Sequence, residues 1–498
     1  MSAFARRGAC PSISRPMQTG DGLLVRLNPV AGSLSPKTLI GLCESALRHG
    51  NGMMEVTARG SLQIRGLTAQ SAPSLAAEVD GLGIAARTSV PVETGPLAGL
   101  DPQEISTPMA LAESIRQEIA ASGLADRLGP KVSVVVDGGG QLNMNSVPAD
   151  VRLVAVTKQD WLLAIAGDAH NCTPIGSFNE ADALTAALTI LQAIAGLGPE
   201  GRARDLDEKH LGELLHQLES LSSFTPPSVL PDISPSRGEI SRHRLFQPLS
   251  APPAPSYADN SSGEPGASII SPLEGEMSGR TEGGNIEHPS PIGIFTLHAT
   301  LALGLGLPFG SIPADRLIAL AKEALCLGAT EIRVAPQRAL LVLGLSETAC
   351  ASLQNSAKKL GFIIDADDPR CGIAACVGAP ACASGHIATR QIAESIARDA
   401  GDLLDPPFVL HVSGCAKGCA HPGAAALTLV GSEAQHVGLV LTGTARDEPA
   451  AYVPTDRLAR GFRRMAAALR IERHASETTA TCLARMGHAR VAAFFQQG

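Results

Sequence analysis

The strongest constraint on how this chain folds is that much of it is written twice. LVRLNPVAGSLSPKTLIGLCESAL (24–47) resembles LGLGLPFGSIPADRLIALAKEAL (303–325), and MEVTARGSLQIRGL (54–67) parallels IRVAPQRALLVLGL (332–345), 278 positions later. VRLVAV (151–156) and WLLAIAG (161–167) match LTLVGS (427–432) and VGLVLTG (437–443) at an offset of 276. A nearly constant offset over four blocks implies two copies of one unit. The length of 498 residues agrees, because one hydrophobic core rarely organises so long a chain.

Each copy opens with an α+β pattern. An apolar run at 22–27 predicts a strand, and helical spacing over 36–48 follows the start signal Ser35-Pro36. Alternation at 53–58 and 61–66 predicts a hairpin around Arg59-Gly60, with a helix near 70–81 behind it. Further strands are expected at 132–136, 151–156 and 161–166, and a helix near 182–196. The segment 222–289 is rich in Pro, Ser and Gly and contains the near-repeat ISPSRGEIS (233–241) and ISPLEGEMS (270–278). It reads as a disordered linker or insertion. The expected organisation is a ferredoxin-like subdomain (1–90), a larger α/β subdomain (91–221), the linker, a second ferredoxin-like subdomain (290–365) and a second α/β subdomain (366–498). These form a pseudo-twofold pair.

Composition narrows the function. Aromatic residues make up 3% of the chain and the net charge is -8, so stacking surfaces and a polyanion-binding field are both lacking and no nucleic-acid partner is expected. No apolar run reaches membrane-spanning length, and the basic N-terminus has no apolar stretch behind it, which predicts a cytoplasmic protein. Five of the eleven cysteines fall between Cys371 and Cys419. Cys376-x5-Cys382 is followed, 32 residues on, by Cys415-x3-Cys419, with Gly and Ala filling the gaps. Zinc knuckles favour Cys-x2-Cys, and disulfide frameworks belong to small secreted chains, so this quartet points to a 4Fe–4S cluster. Cys371 is a fifth candidate. The first copy has Gly139 where the second has Cys415, so only one half carries the thiols.

The Cys-x5-Cys … Cys-x3-Cys spacing resembles that of the sulfite and nitrite reductase haemoproteins, and TARGSLQIRG (57–66) is similar to their Thr-x-Arg-x-x-x-Gln-x-x-Gly strand. Within that superfamily TGDGLLVRL (19–27), GPLAGLDP (95–102) and CAKGCAHP (415–422) resemble the precorrin-3B synthase family. The resemblance implies an internally duplicated α+β fold of sulfite/nitrite reductase type. It also implies an oxygen-dependent monooxygenase of cobalamin biosynthesis that hydroxylates the tetrapyrrole precorrin-3A and closes a γ-lactone. A mononuclear non-haem iron and electrons derived from NADH through an external donor belong to that expectation. His386, His411 and His421 lie near the cysteines, although no two-His-one-carboxylate spacing stands out.

Arg59 matches the reductases' anion-contacting arginine, and its counterpart in the second copy is Gln337. Arg26, Gln63 and Arg65 are expected on neighbouring strands, where planar guanidinium forks could meet propionate and acetate groups. Lys131 falls where the reductases carry the first of two substrate lysines, and Arg59 and Lys131 are the expected catalytic pair. The second lysine is replaced by Ser133, and GPLAG stands where an Asn-Arg-Asn string would be. The missing cations weaken the alternative of a sirohaem-dependent sulfite or nitrite reductase. A cluster-bearing assembly protein without turnover is the third reading.

Overall fold

The computed structural model describes residues 11–29, 32–85, 89–225, 289–405, 408–433 and 435–496. Most of the 222–289 segment, its near-repeat included, and Cys10 lie outside the described residues. The chain divides into two units, one drawn from 1–87 and 290–498 and the other from 88–289.

The first unit contains three five-stranded sheets. In the first of these, Gly22–Leu27 and Leu62–Leu67 pair antiparallel, and Leu62–Leu67 also pairs with Met53–Val56. Strand periodicity gives this sheet two unlike faces. Val25, Leu27, Met54, Val56, Leu62 and Ile64 are buried together with Leu39 and Leu42 of helix Pro36–His49. Burial of each such side chain contributes about 1.5–3 kcal/mol. The other face carries the row Arg26, Gln63 and Glu55, aligned across three strands. The helix begins as predicted, with the Ser35 side chain accepting from the Thr38 amide and Pro36 in the first turn.

The second small sheet is built on Leu301–Gly306, Glu331–Ala335 and Ala339–Leu345. The two small sheets exchange edge strands: Ser311–Pro313 pairs with Met53–Val56, and Ser33–Leu34 pairs with Glu331–Ala335. Their helices share one core, in which Leu39 and Leu42 join Leu317, Leu320 and Ala321. The third sheet has three parallel strands, Ile373–Ala375, Leu410–Ser413 and Ala425–Ser432, followed by antiparallel His436–Gly443 and Ala451–Pro454. Helix Thr389–Ala400 makes the crossover between its first two strands.

The second unit is one sheet of the same order. Val92–Thr94, Val134–Asp137 and Ala149–Ala155 run parallel, and Asp160–Gly167 and Thr173–Asn179 run antiparallel. Helices Met109–Ala121 and Glu180–Gly196 cover a core centred on Trp161 and Phe178. No helix among the described residues is long and apolar enough to cross a membrane.

Candidate functional site

Parallel pairing is what brings Cys376 and Cys415 to the same end of the sheet. Ala375 registers against Val412, so Cys376 and Cys415 leave the carboxyl ends of adjacent strands at one edge of the sheet. That edge is where open α/β sheets characteristically bind ligands. The Cys376 amide donates to the Val412 carbonyl at 3.3 Å, and the His386 amide donates to the Gly414 carbonyl at 2.8 Å. Lys417 Nζ, between the second pair of cysteines, donates to Ser384 Oγ at 2.6 Å. A Cβ on Gly414 would stand 3.2 Å from the Cα atoms of Gly378 and Gly385, so a larger residue would push the strings apart.

The chemistry of this donor set suits an iron–sulfur cluster. Cys376, Cys382 and Cys415 are free thiols and half-buried, and Cys419 is exposed. The Gly414 amide donates to Cys376 Sγ at 3.2 Å, the kind of N–H···S bond that stabilises a thiolate ligand and tunes its potential. Cys415 and His386 border an open cleft of about 490 Å³ that also meets Arg446 and Tyr452. Among the described residues no three His, Cys, Asp or Glu side chains stand together as a site for a single ion. A cubane asks for less convergence, because each thiolate binds a different iron. Cys371 is exposed, its Sγ 3.9 Å from the Asp365 carbonyl.

The predicted basic residues separate into distinct roles. Arg26 and Gln63 face each other; with the Gln63 amide oriented to satisfy both neighbours, its oxygen accepts from Arg26 at 2.8 and 3.1 Å while its nitrogen donates to Glu55 at 3.1 Å. Arg59 sits half-buried in the hairpin turn. Lys131 is exposed in the turn before Val134–Asp137 and belongs to the other unit. Arg65 requires a correction. It is only 6% exposed, and its guanidinium donates to both carboxylate oxygens of Asp21 (2.9 and 3.1 Å) and to the Ala381 carbonyl at 3.1 Å. A group so committed is not available to a substrate carboxylate. Burial alone would raise the Asp21 carboxyl, but hydrogen bonds from Arg65 and Thr19 outweigh it and hold the group below the usual carboxylate value.

Two residues that spacing did not single out complete this network. Glu55 is 6% exposed; Arg390 donates to its Oε1 at 2.5 Å, and Arg65 Nη1 lies 3.7 Å from its Oε2. A glutamate inside an otherwise apolar strand was the available signal for the first. Nothing in the sequence joins it to an arginine 335 positions away.

His411 lies on strand Leu410–Ser413, fully buried, and neither ring nitrogen has a hydrogen-bond partner among the described residues. Burial, then His421 and Arg338, push its pKa down to about 4. The folded form therefore resists a proton that the unfolded chain accepts near pH 6.5. Stability contributed by neutral His411 is complete above that value and falls, by up to about 3 kcal/mol, as pH drops from 6.5 towards 4. A His411→Phe variant should show a flatter denaturation midpoint over this window than the parent. Parallel curves would show that His411 does not titrate with folding.

The chain is similar to several known proteins. Residues 15–82 match the nitrite/sulfite reductase ferredoxin-like half domain. A precorrin-3B synthase from Sinorhizobium sp is 37% identical over 100% of this chain and 96% of its own length. A ferredoxin–nitrite reductase from Synechococcus elongatus is 22% identical over 86% of this chain and 80% of its own. The solved structure of the Mycobacterium tuberculosis NirA protein superposes with a TM-score of 0.69 at 17% identity, covering 94% of this chain and 84% of that one. Together with the half-domain match, this likeness shows a mixed α/β fold related to that of the sulfite and nitrite reductases.

Proposed function

The chain belongs to the precorrin-3B synthase family, and on that ground we propose that it hydroxylates precorrin-3A with dioxygen and closes a γ-lactone. Identity of 37% along the whole chain carries this reading. The weaker match to a nitrite reductase supports superfamily kinship alone. One oxygen atom enters the tetrapyrrole ring and the other leaves as water, which consumes two electrons and two protons. The substrate's acetate carboxylate closes the lactone. The electrons come from outside the chain, derived from NADH through a separate donor.

Cys376, Cys382, Cys415 and Cys419 would hold a 4Fe–4S cluster; the Gly414 N–H···S contact to Cys376 and the small neighbouring residues support this. When bound, such a cluster supplies electrons one at a time. The described residues do not assemble a ligand set for a mononuclear iron, and no role assigned to them here depends on one. Arg59 is assigned to a substrate carboxylate, Arg26 and Gln63 to an adjoining polar surface, and Lys131 to a further cationic contact with substrate. The reading also takes the halves as copies of one unit, four subdomains in pseudo-twofold relation. The exchanged edge strands and the repeated strand order support it.

The decisive experiment incubates the anaerobically purified chain with precorrin-3A, reductant and oxygen. A product heavier by one oxygen atom is expected, and its absence in air would sink the proposal. Arg59→Gln installs the residue found at the equivalent position of the second copy. Loss of a charge-assisted hydrogen bond should raise KM roughly 10- to 100-fold, with a smaller change in kcat. An unchanged KM would remove Arg59 from the substrate site.

A further inference from the structure

The polar face of the first small sheet holds the segments that bear two of the four cysteines. Arg65, on Leu62–Leu67, donates to the carbonyl of Ala381, the residue before Cys382. Its charge is met by Asp21, which also accepts from Thr19 at 2.8 Å and Asn51 at 3.0 Å. The turn that carries Asp21 touches the same segment: a Cβ on Gly20 would stand 2.5 Å from the Ala383 amide nitrogen, so only glycine lets the backbones approach this closely. Glu55, one strand over, accepts from Arg390. Arg390 follows Thr389, whose hydroxyl donates to the Cys376 carbonyl at 2.5 Å. Two carboxylates and two guanidiniums thus pair in a largely buried row, with one end at Cys382 and the other beside Cys376.

Resting on the cluster assignment made above, we propose that Asp21, Arg65, Glu55 and Arg390 form a charged seat. It positions the Cys376 and Cys382 segments and sets the reduction potential of a cluster held there. The reason is electrostatic. Charges withdrawn from water act over longer range, and iron–sulfur potentials respond to nearby net charge. Breaking one partner of a buried pair leaves the other uncompensated, so the seat tolerates loss of one member less than neutral replacement of both. The TGDG turn (19–22) then has a physical role: Gly20 admits the cysteine segment and Asp21 anchors the arginine that grips it.

The test uses the full chain purified without air, with redox titration followed by EPR. Glu55→Gln leaves an excess positive charge that favours the reduced cluster, so the midpoint should shift upward. Arg390→Gln should shift it downward, and the neutral double variant should return it towards the parent value. In iron-free protein Arg65→Lys keeps the charge but loses the planar fork, and amide exchange over 378–386 should accelerate while the fold is retained. Midpoints that stay at the parent value in both single variants overturn the proposal, as does unchanged exchange in Arg65→Lys. Should one single variant fail to fold, the other decides: a midpoint displaced in the stated direction supports the seat and a parental one overturns it. Parent protein devoid of iron and sulfide would overturn the cluster assignment as well, and so separates that failure from failure of the seat alone.

Discussion

Cys415→Ser should yield a folded protein with background iron and acid-labile sulfide, no EPR signal on reduction and no oxygenated product. Serine keeps the side-chain size, so packing around Gly414 is preserved. Its hydroxyl does not ionise near neutral pH and is a hard donor, whereas iron–sulfur clusters are held by thiolates. Cys415 leaves the sheet beside Cys376 and borders the open cleft, so its loss removes a ligand from the centre of the proposed set. Cys371→Ser is the control, because that exposed thiol lies outside the four; its iron content and turnover should match the parent. A Cys415→Ser protein with full iron and sulfide would reassign the quartet. One that loses the cluster but still makes product would separate the cluster from the reaction.

Trp161→Ala should destabilise the second unit by about 3–5 kcal/mol, measured by denaturation followed with circular dichroism. Trp161 is the chain's single tryptophan and is fully buried, packed with Phe178 and the helix Glu180–Gly196. Removing it deletes a large apolar surface and leaves a cavity that its rigid sheet neighbours fill poorly. Its indole N–H has no hydrogen-bond partner among the described residues, so the loss is one of packing. Trp161→Phe, which keeps most of the volume, should cost much less. In the parent, tryptophan fluorescence reports on this unit alone. A Trp161→Ala variant as stable as the parent would show that the core closes around the deletion.

Much of the fold was legible in local patterns. The helix expected at 36–48 is Pro36–His49, and the strands expected at 22–27 and 161–166 are Gly22–Leu27 and Asp160–Gly167. Helix and strand periods are properties of short windows, and capping at Ser35 is decided by neighbours in sequence. The proposed cysteine quartet rests on the same kind of signal, since its spacing and small neighbours are read without knowledge of the fold. Arg65 was not. Its residue type and its place on a strand suggested an outward charge, and only the closing of Ala381 and Asp21 around it made it internal. The two small sheets' exchange of edge strands was also hidden, because Ser311–Pro313 is too short to announce its partner.

Taken by itself, the sequence determined the repeated pattern of elements and the clustering of cysteines along the second half. Each is written in composition or in residues close along the chain. Tertiary structure alone decided which strand ends bring cysteines side by side, which arginines are buried and which carboxylates they meet. Those outcomes depend on burial and on pairs separated by hundreds of residues, where the energy of a charge is set by what the fold places beside it.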